Sequence, residues 1–205
     1  RDYYASRGLG DVYKRQYYFS PQKAFGSDGG LWIAVLSPAA IDRAYGIAKS
    51  VSLPGARRWI PPFLSLTSAI ENSRKDQTLN TPAVATLVML ENQVRWLNDN
   101  GGLAWATARC ARSASLLYQW AERSDYAQPF VSDENARSNA VVTIDLDESI
   151  NASQVVAALR ENGIMDTNGY RKLGRNQLRI GVFPSVEPSD VAALTACIDY
   201  VVEHL

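Results

Sequence analysis

The sequence of 205 residues predicts an α/β fold. Short runs of β-branched and aromatic residues, typical of strands, alternate with longer segments whose apolar residues recur every three or four positions. Beyond residue 138 a strand, a helix, a strand and a helix follow an earlier helix. This order predicts a small open-faced α/β domain with helices packed on one side of its sheet.

The first elements are two strands and a helix. Tyr17 to Ser20 has the residues of a buried strand, and Leu31 to Leu36 reads as a second buried strand. Ser37 and Pro38 form a helix start, with the serine as N-cap and the proline at the first helical position, and this helix runs to about Ser50. Residues 51–62 carry three prolines and a glycine and are predicted to be extended or turned.

The central part is dominated by two helices. Residues 63–78 are ambiguous, and Asn80-Thr81-Pro82 then predicts a helix entry with Asn80 as N-cap. The first helix has its apolar positions at spacings of three and four and ends at Gly101, and the second runs from Leu103 to about Arg123. The recurring apolar positions of the first helix are Leu87, Leu90, Val94 and Leu97, and the residues predicted on the inner face of the second are Ala106, Cys110, Leu117 and Trp120.

The last third reads as strand, helix, strand and helix. Ala140 to Leu146 is predicted to be a strand, and Asn151 to Asn162 a helix closed by Gly163. Gln177 to Phe183 is the next strand. Pro188 begins a terminal helix with an apolar stripe, which we interpret as core. Its members are Val191, Leu194, Ile198, Val201 and Leu205.

Residues 1–16 differ in character from the rest. They show no apolar period and resemble translated sequencing-adapter sequence. We therefore expect a non-native leader over residues 1–16 and a natural chain that is cut just before Tyr17, so that its N-terminal part is missing.

Composition excludes several classes of function. Twenty-one basic residues balance twenty-one acidic ones, without long basic runs, so neither nucleic acid nor a membrane surface is expected as a partner. With two cysteines and one histidine, a metal site, a disulfide framework and a histidine-dependent triad are not expected. No stretch has the length and apolarity of a signal peptide or membrane span, which predicts a cytoplasmic protein.

Lys23 is the first candidate for chemistry. It lies at a Pro-Gln-Lys corner where a buried strand is predicted to end, and low-dielectric surroundings would lower the pKa of its amine and make it a nucleophile. A Schiff-base lysine needs such an amine. The alternative is an ordinary solvated lysine, which is common at strand ends.

Two further segments are candidate anion sites. Asn80-Thr81 lies at a predicted helix N-terminus, where free N–H groups favour an anion, although Asn80 alone is equally explained as an N-cap. Between Tyr170 and Arg179 the chain is basic, and arginine suits carboxylate and phosphate because its planar group donates two hydrogen bonds at once. Arg179 falls within a predicted strand, whereas the rest of this segment also fits a solvated turn.

Four of these segments together resemble phosphoserine aminotransferases, which are pyridoxal-phosphate enzymes of aminotransferase class V and fold type I. The resemblance rests on Pro21-Gln22-Lys23 with the glycines that follow, on Asn80-Thr81-Pro82, on the segment from Tyr170 to Arg179, and on Val186 to Asp190. It implies the C-terminal part of that fold. Residues 17–101 would be the end of the large cofactor-binding domain with its mixed sheet, and residues 102–205 the small C-terminal α/β domain.

The resemblance also implies residue roles. Lys23 would hold pyridoxal 5'-phosphate and move a proton at the substrate α-carbon, and Gln22 would contact the cofactor. Asn80 and Thr81 would bind the cofactor phosphate of the neighbouring subunit, which implies a homodimer with active sites at its interface. Arg179 would bind the substrate α-carboxylate, and Arg171 with Tyr170 the substrate phosphate. The family carries a histidine where this chain has Tyr170, so Lys172 or Arg175 would be needed to supply the missing charge.

The implied reaction is amino transfer from L-glutamate to 3-phosphohydroxypyruvate, giving O-phospho-L-serine and 2-oxoglutarate in serine biosynthesis. The family's pyridinium-pairing aspartate and ring-stacking aromatic precede the lysine, so the fragment itself is expected to be inactive. One alternative is another class V aminotransferase of the alanine–glyoxylate or serine–pyruvate type. Another is a non-catalytic dimerisation module in which Lys23 is merely solvated.

Overall fold

The computed structural model describes residues 16–51 and 59–205. These residues divide into two compact units, one formed by residues 16–21, 27–51 and 59–89 and the other by residues 22–26 and 90–205. The predicted leader lies outside the described residues except for Gln16, which begins the first strand. The predicted domain boundary after residue 101 stays a prediction.

The first unit contains a two-stranded antiparallel sheet and short helices. The strands are β1 (Gln16–Phe19) and β2 (Ile33–Leu36), with Tyr17 opposite Val35. The helices are α1 (Pro38–Val51), α2 (Leu66–Ser73) after a 3-10 turn at Pro62–Leu64, and the beginning of α3 (Val84–Asp99).

The predicted N-cap of α1 is confirmed. The hydroxyl of Ser37 accepts a hydrogen bond from the backbone N–H of Ala40 at 3.1 Å, which satisfies one of the free donors of the first turn. Residues 52–58, with most of the predicted extended segment, lie outside the described residues.

The second unit contains a three-stranded antiparallel sheet. After the end of α3 come α4 (Gly102–Arg123), β3 (Ala127–Pro129), β4 (Val141–Leu146), α5 (Ala152–Glu161), β5 (Gln177–Gly181) and α6 (Pro188–His204). The strand order is β3-β4-β5, with Ile144 opposite Leu178 and Thr143 opposite Arg179.

The two faces of this sheet differ in chemistry. Alternate residues of β4 and β5 are buried in one apolar cluster together with residues of α4, α5 and α6. The opposite face carries Thr143, Asp145, Gln177 and Arg179, because successive side chains of a strand point to opposite sides. The predicted open-faced domain with helices on one side is confirmed. The main members of the apolar cluster are Leu117, Trp120, Val142, Ile144, Val155, Leu159, Leu178, Ile180, Val191 and Ile198.

Three local predictions are wrong. The first two strands, both predicted to be buried, contain no buried residue, and Tyr17 and Tyr18 are 55% and 72% exposed. Helix α3 begins at Val84, and the first intrahelical bond goes from Leu87 N–H to the carbonyl of Ala83, so Asn80 is not its N-cap. The carbonyl of Asn80 instead accepts a hydrogen bond from the Thr78 hydroxyl, which keeps this residue in the preceding turn.

Two further differences concern packing. Leu87, one of the recurring apolar residues of α3, is 37% exposed. Strand β3 was not predicted, because three residues that end in proline show no readable alternation. Proline fits there because β3 is an edge strand, where one missing backbone donor leaves no neighbour unpaired.

Candidate active site

A cleft of about 1070 Å³ in the second unit brings four of the predicted site residues together. Gln22, Lys23, Arg171 and Arg179 all line it. The cleft has the size of a small-molecule site. The sequence interpretation placed these residues in two distant segments, and the fold brings both segments to one surface.

Lys23 lies in a tight turn. The backbone N–H of Gly26 donates to the carbonyl of Lys23 at 2.9 Å, and Pro21, at the start of the turn, is buried. Gly26 has a φ of +65°, and a Cβ there would lie 3.1 Å from the Gln93 side chain, so glycine suits this position. The turn therefore fixes the backbone from which the lysine amine extends.

The surroundings of Lys23 differ from the prediction. Its side chain is exposed, and Gln22 beside it is exposed as well. Because β1 is itself exposed, the described residues do not provide the low-dielectric surroundings that were expected to activate the amine.

Arg179 lies on the polar face of β5 and is half-buried. Its Nε is buried and has no hydrogen-bond partner. The guanidinium carbon lies 5.8 Å from the ring centroid of Tyr170, within range of a cation–π contact. The ion pairs of the described residues do not include Arg179, so its charge is available to a ligand.

Arg171 and Tyr170 lie in a turn between Asn168 and β5. The N–H of Leu173 donates to the carbonyl of Tyr170 at 3.0 Å, and Gly174, with a φ of +66°, allows the reversal of the chain. Both side chains are exposed. Arg171 lines the cleft, whereas the ring of Tyr170 lies beside the guanidinium group of Arg179.

Arg175 is held away from ligand binding by Asp145. Its Nε and Nη2 donate to the two carboxylate oxygens at 3.1 and 2.7 Å, and its guanidinium carbon lies 4.9 Å from the centroid of the Phe130 ring. These hydrogen bonds and the charge of Asp145 raise the pKa of Arg175 above its ordinary value. Arg175 is therefore a weak candidate to compensate for the absent histidine.

Two residues at or near the candidate site were missed from the sequence. Asp145 is buried and also accepts a hydrogen bond from the Gln177 amide at 2.9 Å, while Thr167 is buried in the wall of the cleft. A carboxylate within the otherwise apolar strand at residues 140–146 was the available signal for Asp145, because buried charges require partners. Nothing in the local sequence distinguishes Thr167.

Asn80 and Thr81 do not line this cleft. They are exposed and border a separate cleft of about 660 Å³ within the first unit, whose other walls are mostly apolar. Within a single chain, these two residues and Lys23 therefore belong to different units. Their predicted contact with a cofactor held by a neighbouring subunit stays a prediction.

In the part of the chain that the structure describes, the cysteines and the metal-binding residue types do not form a second site. Burial raises the pKa of the Cys110 thiol, although the nearby Arg109 charge acts in the opposite direction. Within residues 16–51 and 59–205, no three side chains of the metal-binding types are grouped so as to hold an ion. In the same residues no helix has both the length and the apolarity required to span a bilayer.

The arrangement suits covalent chemistry on a small anionic substrate. A primary amine and two guanidinium groups share one cleft, and one of those groups has a buried donor without a partner. An amine can form a covalent bond with a carbonyl compound, and arginine can bind carboxylate or phosphate.

The chain is similar to known aminotransferases. No family model matches it. A phosphoserine aminotransferase of Rhodococcus opacus (strain B4) is 59% identical over 189 residues, which cover 92% of this chain and 49% of the relative. The chain thus spans about half the length of the curated relatives it matches, and it corresponds to their C-terminal half.

Solved structures show the same fold. A phosphoserine aminotransferase of Cytophaga hutchinsonii matches with a TM-score of 0.78 at 21% identity, over 91% of this chain and 49% of that one. A PLP-bound phosphoserine aminotransferase of Trichomonas vaginalis matches with a TM-score of 0.67 at 16% identity, over 90% and 47%. The predicted fold, the C-terminal part of an aminotransferase, is confirmed.

Proposed function

The chain belongs to the phosphoserine aminotransferase family, and on this premise we propose that the whole protein transfers the amino group of L-glutamate to 3-phosphohydroxypyruvate. The products are O-phospho-L-serine and 2-oxoglutarate. The observation that carries this proposal is the shared cleft, in which an amine at Lys23 lies with the guanidinium groups of Arg171 and Arg179.

The residues of the cleft fit pyridoxal 5'-phosphate as cofactor. Lys23 supplies the amine that holds it covalently, Gln22 is placed to contact it, and the orphaned Nε of Arg179 offers a donor for the substrate beside it. When bound, the cofactor withdraws electrons from the substrate α-carbon and so allows that carbon to lose its proton.

Arg179 and Lys23 perform the two tasks common to both substrates. Arg179 binds the α-carboxylate, which glutamate and the acceptor share, and its position on a strand limits how far the carboxylate can move. The Lys23 amine removes the proton from the α-carbon of the donor and returns a proton to the α-carbon of the acceptor.

Arg171 gives the site its preference for a phosphorylated acceptor. It is exposed on a turn at the edge of the cleft, with the fork of donors that a phosphate requires. Tyr170 supplies its hydroxyl as a further donor, and Lys172 adds the positive charge that the family's histidine would provide.

We also propose that the protein is a cytoplasmic homodimer. In it Asn80 and Thr81 bind the cofactor phosphate of the partner subunit. Within one chain they line a cleft of the first unit, whereas Lys23 belongs to the second, and this assignment is compatible with such an exchange.

The acceptor preference tests the proposed function. For the whole protein, kcat/KM is measured with glutamate as donor and with 3-phosphohydroxypyruvate, pyruvate or glyoxylate as acceptor. We expect 3-phosphohydroxypyruvate to be preferred, and Arg171→Ala to lose more rate with it than with pyruvate. Lys23→Ala should lose several orders of magnitude with every acceptor.

The opposite preference would support the other candidate. Tyr170 stands where the resemblance expects histidine, so the positive charge of the phosphate site depends on Arg171 and Lys172. A faster reaction with pyruvate or glyoxylate, unaffected by Arg171→Ala, would identify an aminotransferase for unphosphorylated acceptors. Activity that survives Lys23→Ala would contradict both.

A further inference from the structure

The hydroxyl of Thr167 is buried without a hydrogen-bond partner. Thr167 is only 3% exposed, and its Oγ1 makes no hydrogen bond. Burying an unpaired hydroxyl destabilises a fold, and most buried polar side-chain atoms are paired. This hydroxyl therefore needs an explanation, and its place in the wall of the cleft suggests a ligand.

Thr167 lies directly across from Arg179. The backbone N–H of Arg179 donates to the carbonyl of Thr167 at 3.1 Å, next to an antiparallel bridge between Asn168 and Leu178. Side chains of directly opposed residues in antiparallel strands lie on the same face, with Cβ atoms about 5 Å apart. Thr167 and Arg179 thus point to the same side of the sheet.

The position of Thr167 is fixed by the residue two places later. A Cβ at Gly169 would lie 2.8 Å from the carbonyl oxygen of Gln177, so only glycine permits so close an approach to β5. This contact holds the short segment that carries Thr167 against the strand that carries Arg179.

The two neighbours have matching unpaired donors. Arg179 Nε and Thr167 Oγ1 are both buried without partners, and both residues line the cleft. Two adjacent donors fit the two oxygens of one carboxylate. Ser113 also has a buried hydroxyl without a partner, but it lies on α4 and is not among the residues that line the cleft. Thr167 therefore differs from Ser113 by its position in the cleft opposite Arg179, and not by burial alone.

We propose that the Thr167 hydroxyl donates a hydrogen bond to the substrate carboxylate that Arg179 binds. It is a substrate-binding residue that fixes the orientation of the carboxylate by adding a neutral donor beside the guanidinium group. The inference rests on the proposed function for the identity of the substrate, a 2-oxo or 2-amino dicarboxylic acid.

The test compares two variants that differ in the hydroxyl. Thr167→Val keeps the shape and removes the donor, and Thr167→Ser keeps the donor. Binding of 2-oxoglutarate to the full 205-residue chain is measured by calorimetry, and the melting temperature is measured without ligand. We expect about tenfold weaker binding for Thr167→Val, because it loses a hydrogen bond to a charged group, and a change within about twofold for Thr167→Ser.

Stability separates a binding role from a structural one. Removing an unpaired buried hydroxyl should leave the melting temperature of Thr167→Val equal to or above that of the wild type. A lower melting temperature would overturn the inference, because it would mean that the hydroxyl has a partner in the fold. Unchanged binding in Thr167→Val, or no binding of millimolar 2-oxoglutarate to the wild type, would also overturn it.

The same samples keep the two proposals apart. Covalent attachment of pyridoxal phosphate at Lys23, measured after borohydride reduction, does not require the Thr167 hydroxyl. Attachment that persists in Thr167→Val with unchanged 2-oxoglutarate binding would overturn the inference and leave the proposed function standing. Absence of attachment in the wild type would contradict the proposed role of Lys23 in holding the cofactor.

Discussion

The two units differ in how much apolar surface each buries by itself. In the second unit, helices α4, α5 and α6 cover one face of the sheet, and large side chains such as Leu117, Ile144 and Leu178 are fully buried. In the described part of the first unit Ile70 is the one buried hydrophobic side chain that belongs to a helix, while Trp32 and Phe63 are 50% and 70% exposed. The second unit therefore carries its own core, and the first does not.

This contrast shows where the site obtains its rigidity. Arg179 and Thr167 are built on a sheet with a closed core, which holds their donors in place. Lys23 is also part of that unit, although the strand before it, β1, belongs to the other. The side of the site that we propose to bind the anion is thus the firmly supported side.

The largest expected effect is on stability. Leu178→Ala should reduce the free energy of unfolding by about 2–5 kcal/mol, because it opens a cavity in the core of the second unit. Phe63→Ala in the first unit should change it by less than about 0.5 kcal/mol, since that side chain is exposed. Urea denaturation measures both changes. Equal losses of stability for the two variants would contradict the claim that only the second unit carries its own core.

A smaller effect is expected on the polar face of the sheet. Asp145→Ala should cost about 2 kcal/mol, because the buried amide of Gln177 loses its acceptor. Arg175→Met should cost less than Asp145→Ala, since the Arg175 side chain is 50% exposed and water screens its ion pair. Denaturation in parallel tests this order, and a larger loss for Arg175→Met would contradict it.

The stability of the second unit should also depend on pH. The Tyr126 hydroxyl donates to Asp199 at 2.6 Å, and burial, followed by that carboxylate, raises the pKa of Tyr126 above its ordinary value near 10. A raised pKa means that the stabilisation is complete below pH 10 and is lost as the pH rises above it.

Tyr126→Phe should therefore be about 1 kcal/mol less stable than the wild type at pH 7 and lose this deficit above pH 10. Thermal melts from pH 7 to pH 11 measure the difference. A deficit that stays constant over this range would show that Tyr126 ionises equally in the folded and unfolded states.

The smallest effect concerns the ring beside Arg179. Tyr170→Leu should weaken 2-oxoglutarate binding about two- to fivefold, because it removes an exposed cation–π contact, whereas Tyr170→Phe should not. Calorimetry distinguishes the two. Equal weakening by Phe and Leu would instead assign the effect to the tyrosine hydroxyl.

Much of the fold was predictable because local signals and packing agree. Ser37 caps α1, Asn151 caps α5, and the glycine at 163 has the positive φ of a helix end. The exposure of β1 was not predictable, since its residues suit a buried strand and only tertiary context decides whether other elements cover it.

The candidate site was predictable only where chemistry shows in residue type. Lys23 and Arg179 stand out because amines and guanidinium groups near strands are chemically suggestive. Thr167 was missed because its importance arises from a pairing across the sheet with Arg179, which no local pattern records. The ion pair between Arg175 and Asp145 was missed for the same reason, because the two residues are thirty positions apart in the sequence.

The most direct test of the account is where pyridoxal phosphate attaches. The chain is mixed with a substoichiometric amount of the cofactor, reduced with borohydride, and mapped by mass spectrometry. We predict that the label is concentrated at Lys23. Label spread evenly over Lys23, Lys49, Lys75 and Lys172 would contradict the claim that this cleft is the cofactor site.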